Sequence, residues 1–118
     1  MAVRILLVED DAFLAFDLCQ LLEQAGFLVV GPASSSASAL TLLAQSSCDA
    51  AILDVQLGRG DTSELVARKL VARGTPFVTV TGYSQEQRPD VFAGSPVFSK
   101  PVCFADLLAA LQRYLGAQ

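Results

Sequence analysis

The sequence predicts a single α/β domain, a parallel sheet wound on both sides by helices. Three observations carry this. Short apolar, β-branched runs alternate with longer segments of helical period through all 118 residues. Those runs are apolar at both alternating positions, as strands buried on two faces must be, whereas a sheet open to water would alternate. Hydrophobic residues make up 53% of the chain and charged ones only 17%, below the usual charged share of about 25%. No apolar stretch approaches the roughly 20 residues of a membrane helix, so the low charge points to a covered sheet. The length suits one domain.

The elements follow in order. A strand over residues 3–8 leads to Asp11, the N-cap of a helix over 11–25, because an apolar period begins just after it. Leu14, Leu18, Leu21, Leu22 and Ala25 form the stripe expected to face the sheet, and Gly26 ends the helix. After a strand over 27–30, Ser34, Ser35 and Ser36 offer N-caps to a helix over 36–45; three serines are too few for an interdomain linker. Strands over 50–53 and 77–80 flank a helix over 62–73. The segment 85–93 has a weak helical pattern broken by Pro89, so the fourth helix is expected to be short or irregular. A strand over 96–98 and a helix over 104–115 complete five βα units.

Composition removes several function classes. The chain has no histidine, which excludes Ser-His and Cys-His nucleophile pairs, histidine-ligated zinc and a phosphohistidine carrier. A net charge of −4 argues against binding nucleic acid by neutralising its phosphates. No secretory signal pattern is present, which predicts a cytoplasmic location. Cys19, Cys48 and Cys103 lie outside any CxxC pair and read as buried or half-buried apolar residues.

In a doubly wound sheet, ligands bind beyond the carboxyl ends of the strands. There the sequence places Glu9, Asp10 and Asp11 after strand one, Asp54 after strand three, Thr81-Gly82 after strand four and Ser99-Lys100-Pro101 after strand five. Clustered carboxylates repel unless a cation joins them, and all-oxygen donors favour Mg²⁺. Lys100 and Thr81 suit the oxygens of a phosphoryl group, whose transfer needs mainly positioning and charge neutralisation. A carboxylate can itself be the nucleophile. Asp49 and Asp61 read as turn or N-cap residues. Gly58-Arg59-Gly60 reads as a flexible turn beside the site, lacking the context of a phosphate cradle.

Four segments, ILLVEDD at 5–11, ILDVQLG at 52–58, VTG at 80–82 and SKP at 99–101, match in order the signature of a known family. The whole chain resembles the receiver domain of bacterial two-component response regulators. That resemblance implies a flavodoxin-like sheet of order 2-1-3-4-5, one domain over residues 1–118, and Mg²⁺ as cofactor. It makes Asp54 the phospho-acceptor and a metal ligand and Asp10 a direct ligand, with Glu9 acting mostly through a water on the ion. The backbone carbonyl of Gln56 would be the third protein ligand. Lys100 would pair first with Asp54 and then with the phosphoryl oxygens, and Thr81 would supply the switch hydroxyl, with Gly82 beside it. The Lys100–Pro101 bond would be cis. The implied partners are a histidine kinase or histidine phosphotransfer protein and a downstream protein target, with no nucleic acid or membrane. The chain would be a monomer or weak dimer. It would phosphorylate and dephosphorylate itself without being an enzyme otherwise.

Rival readings are weaker. A haloacid-dehalogenase-like phosphatase needs a DxD after strand one, which Glu9-Asp10-Asp11 does not supply, and a cap for which there is no room. A Toprim-type site fails at Asp54-Val55-Gln56, and the intact acids, threonine and lysine argue against a degenerate receiver that only binds proteins. The chain also departs from the family pattern. Val97 stands where a switch aromatic is usual, and Phe98 alternates to the other face. PFVTVTGY at 76–83 partly matches the "FAT GUY" group of mostly single-domain receivers, with Thr79, Val80 and Ser84 differing. Gln56 and Tyr83 occupy positions where the family tunes dephosphorylation. Phe16 points nearly opposite the apolar stripe of the first helix. Because the exposed part of this helix docks the phosphodonor in receivers, the resemblance implies that Phe16 belongs to that surface, with Phe13 an intermediate case. If Gln118 is the natural terminus, signalling is expected to pass through a protein contact or onward phosphotransfer.

Overall fold

Successive residues of the first strand serve two different cores. In a computed structural model, which describes residues 2–82 and 89–116, Ile5 and Leu7 of β1 (Arg4–Val8) belong to one hydrophobic cluster and Leu6 and Val8 to another. The same alternation runs through β3 (Ala50–Asp54), where Ala50 and Ile52 face one way and Ala51 and Leu53 the other. Strand residues point alternately to opposite faces, so a strand covered on both sides has no polar position to spare.

The remaining strands are β2 (Leu28–Ala33), β4 (Phe77–Thr81) and β5 (Val97–Ser99), and all five pair in parallel in the order β2-β1-β3-β4-β5. Helices α1 (Ala12–Gln24) and α4 (Phe104–Gly116) cover one face through Leu18, Leu22, Leu107 and Leu111. Helices α2 (Ser36–Gln45) and α3 (Glu64–Arg73) cover the other through Ala39, Leu43, Val66 and Leu70. The order predicted by resemblance is the order found.

Local chemistry explains where the helices begin. Asp11 caps α1, its carboxylate accepting from the amides of Phe13 and Leu14 at 3.0 and 3.2 Å. Of the three serines, Ser35 caps α2, exchanging bonds with Ser38 in a reciprocal capping box. Gly74 ends α3 with φ +71°, a left-handed conformation that costs a glycine nothing.

Several boundaries differ from expectation. The buried stripe of α1 runs through Ala15, Leu18 and Leu22, while Ala25 is exposed, a rotation of about one residue that the apolar content of both faces concealed. β2 extends to Ala33 through Gly31 and Pro32. There Leu6 pairs with Val30 but Val8 with Ala33, so β2 carries one extra residue, a bulge that an edge strand tolerates. Gly31 has φ +104°, and a Cβ there would stand 2.8 Å from the Ala33 nitrogen. Helix α3 starts at Glu64, two residues late, because Thr62 is held in a bridge with Gln56. Cys103 is exposed, whereas Cys19 and Cys48 are half-buried.

Within the segment read as a weak helix, the described part forms a single 3-10 turn, Asp90–Phe92. Tyr83, Ser84 and the first residues of that segment lie outside the described residues. Phe92 is fully buried and meets Phe77 edge-on with ring centroids 6.3 Å apart. The buried Thr79 hydroxyl bonds to that of Ser95, joining β4 to the turn. Val97 pairs with Thr79, and Phe98 packs toward the α1 and α4 face.

Candidate functional site

Parallel strands deliver their carboxyl ends to one rim, and the order reversal around β1 and β3 opens a crevice there. Glu9 follows β1 directly. Its amide donates to the Ala33 carbonyl at 2.9 Å, and its carboxylate accepts from the Asp11 amide at 3.0 Å. The same carboxylate is only 3% exposed, as is Asp54 at the end of β3. Asp10, next to them, is exposed. Oxygens of Glu9, Asp10 and Asp54 lie within 4.8 Å of one another.

Lys100 enters from β5. Its amide donates to the Thr81 carbonyl at 2.9 Å, which sets the strand end beside β4. Its ammonium donates to Asp54 Oδ2 at 2.8 Å and to Glu9 Oε2 at 3.2 Å. The bond to Pro101 is cis, and so is Gly31–Pro32, which the sequence reading did not anticipate. Thr81 is buried at the end of β4, and Gly82 lines the cavity beside Lys100. The cavity, of about 450 Å³, is bounded also by Asp10, Asp11, Asp54, Gln56 and Gly58.

Three carboxylates against one ammonium would leave two negative charges in excess if all were ionised, and burial is the main influence on how the two buried acids titrate. Burial pushes Glu9 up to about 7; the Asp54 charge and a hydrogen bond to Asp54 add to that, while the Asp11 amide and Lys100 oppose it. Burial also raises Asp54, against the bonds from Lys100 and Glu9. Burial works to lower Lys100, but its bonds to Asp54 and Glu9 outweigh that and hold it above its ordinary value. A set of oxygen donors with surplus negative charge and one exposed member fits a hard divalent cation that keeps part of its water shell.

The loop that carries Gln56 is closed on itself. Gln56 bridges Thr62, the Leu57 amide donates to the Asp61 carbonyl at 3.0 Å, and Gly58, Arg59 and Gly60 all have left-handed backbone. A Cβ on Gly58 would stand 3.3 Å from Asp10 Oδ2. The expected flexible turn is therefore a pinned one. Asp61 does cap a helix, but the helix is α2: the Ser36 amide and hydroxyl donate to its carboxylate at 2.8 and 2.6 Å. Sequence reasoning passed over that pairing, 25 residues apart. Asp61 read only as a turn or N-cap residue of its own segment, and the one signal toward Ser36 was the serine N-cap run of the preceding βα unit. Phe16 is 61% and Phe13 86% exposed. Phe16 borders a second, largely apolar cavity of about 350 Å³ with Ala15, Cys19 and Pro32, which reaches Glu9 and Asp10.

Comparisons with known proteins point the same way. The model of the response regulator receiver domain family matches residues 5–112. The solution structure of SdrG from Sphingomonas melonis Fr1 is similar, with 38% identity, 97% of each chain covered and a TM-score of 0.83. A CheY-like receiver domain protein from Methanospirillum hungatei JF-1 shares 27% identity, with 99% of this chain and 96% of that one covered and a TM-score of 0.87. The transcriptional regulatory protein PdtaR of Mycobacterium tuberculosis is 29% identical over 112 residues, 92% of this chain and 55% of the relative. The phyllosphere-induced regulator PhyR of Methylorubrum extorquens is 30% identical over 126 residues, 100% of this chain and 45% of the relative. The chain thus spans about half the length of the curated relatives it matches.

Proposed function

We propose, from the premise that this chain belongs to the response regulator receiver domain family of two-component signalling, that Asp54 accepts a phosphoryl group from a histidine-phosphorylated protein. The observation that carries this is the buried Asp54 carboxylate held 2.8 Å from the Lys100 ammonium, at the strand end and among the other acids. An Asp54 oxygen attacks phosphorus, the donor's N–P bond breaks, and its electron pair returns to the imidazole. With no histidine of its own, the chain depends on another protein, a histidine kinase or histidine phosphotransfer protein, for that donor.

Asp10, Asp54 and the Gln56 carbonyl would hold Mg²⁺, with Glu9 behind them acting through water. The ion supplies neutralisation of the charge on the transferring group. Lys100 turns its ammonium from the Asp54 carboxylate to a phosphoryl oxygen, and Thr81 brings its hydroxyl to another, with the Gly82 backbone beside it. These movements change the β4 and β5 ends, the surface a downstream protein reads. Phe16, and secondarily Phe13, serve the donor's docking, supported by their exposure and by the apolar cavity next to the acids. Among the described residues no helix is long and apolar enough to cross a membrane, and we place the protein in the cytoplasm as a monomer or weak dimer. The receiver unit is taken as residues 1–118, and the domain is a phospho-acceptor rather than an enzyme acting on a separate substrate.

Incubation with acetyl phosphate and Mg²⁺, read by intact mass, tests this. One Mg²⁺-dependent phosphoryl adduct is expected, absent in Asp54→Asn. An adduct that survives the substitution, or multiple turnovers of an added phosphoester, would overturn the reading.

A further inference from the structure

We propose that Asp61 is a positioning residue for the cation site, fixing the Gln56 carbonyl by fastening its loop to the N-terminus of α2. The inference rests on reading the rim as a Mg²⁺ and phosphoryl site. Gln56 does not stand alone at the strand end. Its backbone is bridged to Thr62, and the loop between them is drawn shut by the Leu57 amide on the Asp61 carbonyl and the Asp61 amide on the Gly58 carbonyl, at 3.0 and 2.9 Å. Those bonds fix the loop's shape but not its placement against the rest of the molecule.

Buried Val55 and Leu57, with the Val55 amide on the Val80 carbonyl at 3.1 Å, hold the base of the loop, and the Asp61 side chain fastens its far end to α2. Both its oxygens are taken by Ser36, through the amide at 2.8 Å and the hydroxyl at 2.6 Å. Ser36 opens α2, where an amide has no partner within the helix and a carboxylate is favoured by the helix dipole. The same two bonds hold the Asp61 carboxyl below its ordinary value, so the clamp is charged at neutral pH. Gly58, in the same loop, passes Asp10 so closely that a side chain would stand 3.3 Å from Oδ2. One anchored loop therefore sets the Gln56 carbonyl in relation to Asp10. Mg²⁺ tolerates little departure from octahedral geometry, and groups that orient its ligands matter accordingly.

Mg²⁺ titration by calorimetry tests this on the intact chain. Asp61→Ala is expected to weaken the dissociation constant about 10-fold, and Asp61→Asn, which keeps an acceptor for Ser36, to recover much of the loss. Ser36→Ala, which removes one of the two bonds, should shift it in the same direction by less. Asp49→Ala is the control. It deletes a comparable long-range carboxylate bond, to the Arg4 amide at 2.8 Å, at the opposite end of the sheet. It should lower the melting temperature and leave Mg²⁺ affinity unchanged. If Asp61→Ala does not fold, Ser36→Ala and Asp61→Asn carry the comparison.

Affinities of Asp61→Ala and Ser36→Ala within about twofold of wild type, or an equal loss in Asp49→Ala, would overturn the inference while leaving the phosphoryl-site reading intact. A wild-type chain that binds no Mg²⁺ would overturn both.

Discussion

With Glu9 pushed up to about 7, first by burial and then by Asp54, its carboxyl is still only partly ionised at neutral pH, where the unfolded chain has already released that proton. The sign of the consequence follows from linkage. A carboxyl whose folded value lies above its ordinary 4.5 adds stability that is complete below that ordinary value and is lost as pH rises through about 7. Asp54, also raised, acts in the same direction. Asp61, which is lowered, acts oppositely but only in the acid range below its ordinary 3.8. Metal-free protein is therefore expected to melt higher at about pH 5 than at about pH 8. Mg²⁺ needs the charged carboxylates, so its stabilisation should be greatest at the higher pH. Glu9→Gln should flatten both trends, which differential scanning calorimetry with and without Mg²⁺ would reveal.

At the scale of the elements, α1 is the best test of docking because its two faces are chemically close. Leu14, Leu18 and Leu22 were legible as the packed stripe from spacing alone, yet Ala15 is buried where Ala25 was expected, since alanine and leucine on adjacent positions blur the centre of an apolar face. Phe16 lies outside that packing. Phe16→Asp should slow phosphotransfer from a histidine-phosphorylated partner about 10-fold or more, as loss of an interface aromatic does, and leave labelling by acetyl phosphate unchanged. Phosphotransfer assays with each donor distinguish this from damage to the site, which would slow both. The acids, Thr81 and Lys100 were legible as a group because each stands at the carboxyl end of a strand or within two residues of it. The Asp61–Ser36 clamp was not, because nothing local to either residue names a partner 25 positions away. The 3-10 turn at Asp90–Phe92 was legible only as a broken helix, from Pro89.

The whole molecule is built from two hydrophobic layers that share one sheet, and its fold was legible because buried parallel strands have no polar alternation to imitate. Strand order was not legible from periodicity; it came with the resemblance. Phe92 closes the layer on the α2 and α3 face at the point where the regular βα pattern is thinnest, fully buried against Phe77. Phe92→Ala is expected to cost about 3–5 kcal/mol in chemical denaturation. That is a large part of the roughly 5–15 kcal/mol that holds a domain of ordinary size together. The bulge in β2 bears on a different property, the behaviour of the molecule in a crowd. β2 lies at the margin of the sheet, where unpaired amides and carbonyls can recruit the strand of a neighbouring chain. Beyond Leu28–Val30 that margin is broken by the extra residue and by Pro32, which has no amide to donate. Only three residues remain as a flat template, too short a run to seed strand-to-strand aggregation.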